Sequence, residues 1–116
     1  MRVRIIVAAL AAAACGGSDS SPTTPVTTLK TVDVFTVATE FSPKSLSINA
    51  GDTVRFNIVV APDGDGHDVT FDSKSGAPAN IPVTKTGAIT RTFATRGTFH
   101  YNCFVHPGMS GDVVVQ

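Results

Sequence analysis

Cys103, His106 and Met109 stand three residues apart along the run Gly97-Thr98-Phe99-His100-Tyr101-Asn102-Cys103-Phe104-Val105-His106-Pro107-Gly108-Met109. A thiolate, an imidazole and a thioether at that spacing converge on one point if the chain turns back at Pro107-Gly108. A second imidazole, His67, follows the Gly- and Pro-containing loop Pro62–Gly66. Thiolate plus two imidazoles, with a weak axial thioether, is a donor set that suits copper. Sulfur stabilises Cu(I), and imidazole also accepts Cu(II). A cage between their preferred geometries need move little when one electron is exchanged. Zinc also takes Cys and His, but a structural zinc site wants a fourth strong ligand, and this chain offers Met109. The expected cofactor is one copper ion held by His67, Cys103, His106 and Met109.

These side chains come from two distant stretches, so a scaffold must bring them to one end. The pattern from about Thr31 onward predicts short strands. Val32, Val34 and Thr36 share one parity, Leu46 and Ile48 another, and Val54, Phe56 and Ile58 alternate with polar neighbours. His67, Val69 and Phe71 form a further set, as do Ile89, Arg91 and Phe93. Phe99, Tyr101 and Cys103 point one way, and Val113 and Val115 close the chain. Gly51-Asp52 and Gly97 mark turns. Regularly spaced short strands with turn signals between them predict an all-β sandwich or barrel. The stretch Asp72–Thr86 carries Gly76, Pro78 and Pro82 and is expected to be a long connection with a helical turn. At 116 residues there is room for one domain. Nine basic and nine acidic side chains with no Lys/Arg run give nucleic acid nothing to hold, so none is expected as a partner.

The segments Phe41-x-Pro43, Gly51-Asp52-Thr53-Val54-x-Phe56, His67-x-Val69-x-Phe71 and Gly97-Thr98-Phe99-x-Tyr101-x-Cys103-x-x-His106-x-x-Met109 together resemble the cupredoxins of the plastocyanin/amicyanin type. The resemblance covers Thr31–Gln116, and the Cys-x-x-His-x-x-Met spacing is similar to amicyanin's short ligand loop. It implies a Greek-key β-sandwich with a type 1 (blue) copper. His67, Cys103 and His106 would be the strong ligands and Met109 the axial one. It also implies carriage of single electrons between redox protein partners, such as cytochromes or other electron carriers, by a monomer. One position departs from the family. Asp68 stands where an Asn commonly braces the cysteine loop, and an ionised carboxylate accepts hydrogen bonds but cannot donate them. Bracing at that point is therefore in question.

The N-terminal stretch differs in character. Arg2 and Arg4 precede Ile5–Ala14, an uncharged run too short for a permanent membrane span, so residues 1–14 read as an export signal. Cys15, between Ala12-Ala13-Ala14 and Gly16-Gly17, resembles the lipobox cysteine of bacterial lipoproteins, although Ala12 stands where Leu is usual. Lipidation at Cys15 is the favoured expectation, and cleavage at an Ala-x-Ala site to give a soluble periplasmic protein is the alternative. Residues 15–30 are Gly-, Ser-, Thr- and Pro-rich and read as a tether, leaving residues 31–116 as the copper-binding domain. The expected location is the periplasm or cell envelope, with membrane contact only through that anchor.

Other readings of the same residues are weaker. His100 has the opposite parity to Cys103 and should face away from the site. Asp63-Gly64-Asp65-Gly66-His67-Asp68 lacks the Gly and Glu of a calcium loop and reads as a flexible connection that positions His67. Arg91 and Arg96 read as solvated surface charges. Multicopper enzymes bind further copper through histidines beside the cysteine, whereas Asn102 and Phe104 flank Cys103 here. Three histidines supply no second site, so the chain is not expected to be an enzyme. A periplasmic copper chaperone or storage protein is the alternative function. It is weakened by Met109 being the sole methionine besides Met1. Electrons are expected to pass through the ring edge of His106, with little bulk at Pro107 and Gly108 to cover it.

Overall fold

The computed structural model describes residues 24–116. Among these, every regular element is a strand: β1 (Thr31–Val37), β2 (Glu40–Ser42), β3 (Ser45–Ile48), β4 (Thr53–Ile58), β5 (His67–Phe71), β6 (Ile81–Thr84), β7 (Gly87–Thr92), β8 (Gly97–Asn102) and β9 (Ser110–Val115). Residues 1–14 and Cys15 lie outside the described residues, as does most of the 15–30 stretch.

The strands form two sheets, ordered β2-β1-β4-β7 and β3-β9-β8-β5-β6. Both are mixed, because β1 runs parallel to β4 and β3 parallel to β9 while the other pairs are antiparallel. The chain changes sheet at β2–β3, β3–β4, β4–β5, β6–β7 and β7–β8, so consecutive strands seldom lie side by side. This is the sandwich with crossing connections that the Greek-key expectation describes.

Alternation explains the packing. Val34, Val54, Phe56, Ile58, Val69, Phe99, Tyr101 and Val113 are all buried, each on the inward parity expected for it. The centre is a chain of aromatic contacts, edge-on except for the tilted Phe93–Phe99 pair. Tyr101 meets Phe41, Phe56 and Phe71 at ring-centroid distances of 4.8, 5.4 and 5.7 Å. Phe71 continues to Phe93 at 5.8 Å, and Phe93 to Phe99 at 5.7 Å. Edge-to-face rings set positive ring edges against negative faces and add to the apolar burial.

The turn at Gly51-Asp52 is held by the buried Asp52 carboxylate, which accepts the Lys30 and Asn49 amides at 2.9 Å each. On the outer face of β8, His100 Nδ1 bonds Asp112 Oδ1 at 2.8 Å, and that carboxylate raises the imidazole's basicity. His100 thus points away from the site, as its parity requires.

The expectation for Asp72–Thr86 is corrected. No helical turn occurs there, and the second half contains β6, which adds the edge of one sheet beside β5. Ile81 is fully buried opposite Val69, which makes the strand, and Pro82 is tolerated because an edge strand leaves amides without ladder partners. The first half is tied down by side chains. Asn80 Oδ1 accepts the Phe71 amide at 2.9 Å, and Arg91 donates to the Ala79 and Asn80 carbonyls at 2.7 and 2.9 Å. Arg91 is therefore a clamp on this connection rather than a free surface charge.

Candidate metal centre

The Cys103 loop leaves the end of β8 and returns into β9, and backbone bonds close it. Cys103 N donates to the Met109 carbonyl at 2.9 Å and Met109 N to the His106 carbonyl at 3.1 Å. Gly108 takes φ +85°, the left-handed turn that the Pro107-Gly108 pair anticipates. His67 is the first residue of β5, which runs antiparallel to β8 in the same sheet, so both stretches meet at one end of the sandwich.

How β5 begins decides the site. Its register with β6 shifts between His67 and Val69, which breaks the strict alternation and buries both His67 and Asp68. β5 pairs with β8 only at Thr70↔Asn102 and Phe71↔Tyr101, so the loop beyond β8 has no ladder to hold it. Asp68 supplies the missing acceptor. Its Oδ1 takes the Phe104 amide at 2.7 Å and the Val105 amide at 3.3 Å, while Oδ2 accepts the Thr70 hydroxyl at 2.7 Å. Donors come entirely from its partners, so the departure from Asn leaves the loop braced. Gly66 lets β5 come this close: a Cβ there would lie 2.6 Å from the Thr84 carbonyl oxygen.

His67, Cys103, His106 and Met109 are all buried. Cys103 Sγ lies 3.8 Å from His67 Nδ1 and 3.7 Å from His106 Nδ1, and the three donor atoms fall within 4.8 Å of one another. The two imidazole rings are 4.7 Å apart at an angle of 43°. The two sulfur–nitrogen separations suit a shared cation. Metal–sulfur and metal–nitrogen bonds of about 2.3 and 2.05 Å, opened to about 120°, put sulfur and nitrogen about 3.8 Å apart. The two imidazole nitrogens, within 4.8 Å of each other, would draw together on a shared cation, since two bonds of about 2.05 Å span about 4.1 Å at most. The donors present fit copper.

Burial sets the protonation of these donors in the metal-free protein. It pushes the Cys103 thiol above its ordinary range, against the opposing pull of nearby backbone amides. It pushes the His67 imidazole below its ordinary value, and the neighbouring His106 adds to that. Among the described residues His67 Nε2 has no hydrogen-bond partner of good geometry, although the Val59 carbonyl makes the ring somewhat more basic. At neutral pH the thiol is protonated and His67 is neutral, so a cation taken up by the thiolate must expel a proton. Copper affinity should accordingly rise about tenfold per pH unit between roughly pH 7 and 8.5. Calorimetric titrations in buffers of different ionisation enthalpy check this by counting about one proton released per copper, and zero release contradicts it.

The sequence of 29–116 matches the profile of the copper binding proteins of the plastocyanin/azurin family. The chain belongs to that family. As a cupredoxin it carries copper as its cofactor. No curated protein matches it by sequence. Among solved structures, it is similar to a reduced Cu(I) form of an amicyanin variant at pH 4, with 30% identity and a TM-score of 0.61, covering 74% of this chain and 82% of that one. A pseudoazurin from Methylobacterium extorquens AM1 shares the fold at 24% identity and a TM-score of 0.58, over 73% of this chain and 74% of that one. A copper-containing nitrite reductase from Thermus scotoductus SA-01 is similar at 29% identity and a TM-score of 0.61, but the cupredoxin spans only 22% of that chain.

One polar partner of the site was not legible in the sequence. Asp63, in the loop read as a flexible connection, places Oδ2 2.9 Å from His106 Nε2. Its other oxygen accepts the Asp65 amide at 3.0 Å, and these bonds, that of Asp65 first, hold its carboxyl below the usual carboxylate range. His106 is consequently covered on the edge expected to be open, and only 7% of the residue is exposed. Phe104, by contrast, is 71% exposed.

Proposed function

We propose that this cupredoxin holds one copper through His67 Nδ1, Cys103 Sγ, His106 Nδ1 and the Met109 thioether, and carries single electrons between redox proteins. The observation that carries the reading is the buried cluster of two Nδ1 atoms 3.7 and 3.8 Å from one thiol sulfur. Copper supplies the one-electron couple. The chain's own residues preset the cage, keep water out of it and hold its loop through Asp68. A cage fixed by one sheet and a braced loop limits the rearrangement between oxidation states, which favours fast exchange.

Redox proteins are the partners this reading requires, and the chain acts on them as a carrier rather than as an enzyme. Asn102 and Phe104 beside Cys103 leave no ligands for an added catalytic copper. A chaperone or storage role, which needs an exchangeable cation, is disfavoured by the burial of all four donors. The export pattern of residues 1–14 and the lipobox-like setting of Cys15 support a place in the cell envelope, with 15–30 as tether and 31–116 as the working domain.

With the His106 edge capped, contact between molecules falls to the apolar rim beside it. Phe104 lies next to Cys103 in the chain and lines a groove of about 520 Å³ with Ile81, Pro82, Val83 and Val105. Electron self-exchange, measured by NMR line broadening in mixtures of oxidised and reduced protein, tests the carrier reading. Fast exchange is expected, and a Phe104→Asp variant should be about tenfold slower at low salt, recovering partly as salt screens the new charge. A colourless protein that binds only Cu(I) would instead establish copper delivery.

A further inference from the structure

The two imidazoles of the cluster are not equivalent. His67 Nε2 is buried without a well-formed hydrogen bond, whereas His106 Nε2 meets a carboxylate oxygen of Asp63 at 2.9 Å. The loop is shaped to deliver that oxygen. Ala61 N donates to the Asp65 carbonyl and Gly64 N to the Ala61 carbonyl, both at 2.9 Å, and Gly64 turns the chain at φ +85°. Asp65 N then fixes the orientation of the Asp63 carboxylate at 3.0 Å. With the Nε2 proton held by Asp63, the Nδ1 lone pair of His106 is left facing Cys103 Sγ at 3.7 Å.

We propose that Asp63 is a positioning residue for the metal centre: its carboxylate fixes the tautomer and orientation of His106 and tunes the copper couple through that ring. The inference rests on the reading of His106 as a copper ligand. A carboxylate behind a ligating imidazole makes it a stronger donor. The added negative charge favours the more highly charged oxidised ion, so Asp63 lowers the reduction potential. The bond also removes the ring edge from solvent, which makes the loop Ala61–Asp65 part of the centre although it contributes no ligand.

Four variants test this. Each is first loaded with Cu(II), and an intact thiolate-to-copper band shows that the ligand reading stands independently of Asp63. Asp63→Asn should then bind Cu(II) about tenfold more weakly relative to Cu(I), a rise in potential of about 59 mV. Asp63→Glu should restore much of the difference, because it keeps the charge and the acceptor. Asp65→Asn removes a charge from the same loop without removing the Asp63 carboxylate, and its potential should move far less. In the metal-free protein, the His106 Nε2–H resonance should be sharp in wild type and lost to solvent exchange in Asp63→Ala. A blue wild-type protein in which Asp63→Asn and Asp65→Asn shift the potential equally, or in which neither shifts it, would overturn the proposal. Failure of wild type to take up copper would instead sink the ligand reading.

Discussion

A Cys103→Ser variant should take up Cu(II) without any blue colour. The visible band of such a centre arises from charge transfer between a thiolate and Cu(II), and Cys103 is the thiol of the cluster. Serine nearly matches cysteine in size, so the loop held by the Cys103 and Met109 backbone bonds and by Asp68 should stay closed. What disappears is the soft anionic donor. Loss of a partner behind a metal ligand already costs about 10–100-fold in affinity, so removing this ligand should cost more than about 100-fold. Competition against a chelator of known affinity measures that loss, and thermal unfolding of the metal-free forms shows that the fold survives. A variant that kept the wild-type absorption would place the copper elsewhere.

The largest effect on folding should come from Gly111→Ala, far from any ligand. Gly111 lies opposite Tyr101 in the β8–β9 ladder, and a Cβ built there would collide with the Tyr101 hydroxyl and lie 2.9 Å from the Lys44 carbonyl oxygen. Tyr101 cannot yield, since it is fully buried and its ring is held by Phe41, Phe56 and Phe71. Overpacking of this kind costs about 3 kcal/mol, which corresponds to a fall in Tm of about 12–24 °C for a domain of this size. Among the described residues the Tyr101 hydroxyl has no hydrogen-bond partner, and burial pushes its ionisation well up. Tyr101→Phe should therefore be neutral or stabilising by about 1 kcal/mol. The double variant should recover only a small part of the Gly111→Ala loss, because Tyr101→Phe removes the hydroxyl but leaves the ring carbon that bears it 2.5 Å from the new Cβ. Strict additivity in denaturant titrations would show that the collision is relieved elsewhere.

Much of this was legible because strand alternation is local information. The parity of Val54, Phe56, Ile58, Phe99 and Tyr101 placed each on the inward face, and the fixed spacing of Cys103, His106 and Met109 announced a shared ligand loop. His67 could be paired with that loop only through the family resemblance and the expectation that sandwich loops meet at one end. β6 is not legible in the sequence because its pattern is interrupted by Pro82 and it is held by one neighbour, with Ile81 packed against Val69. Asp68 was recognised as a departure, but its outcome depended on which groups would face it, and the structure supplies amide and hydroxyl donors. Asp63 was invisible as a partner of His106, since the two lie far apart in the chain and only the folded loop joins them. The roles of Arg91 likewise depend on backbone carbonyls, which sequence pattern does not locate.

The most direct test is a titration of the metal-free protein with Cu(II), followed by visible absorption and EPR. A buried cage of two Nδ1 atoms and one thiol, with the Met109 carbonyl bonded to the Cys103 amide, should give an intense band that grows linearly and stops at one equivalent, with a single EPR species. Absence of that band, or saturation at any other stoichiometry, would contradict the assignment.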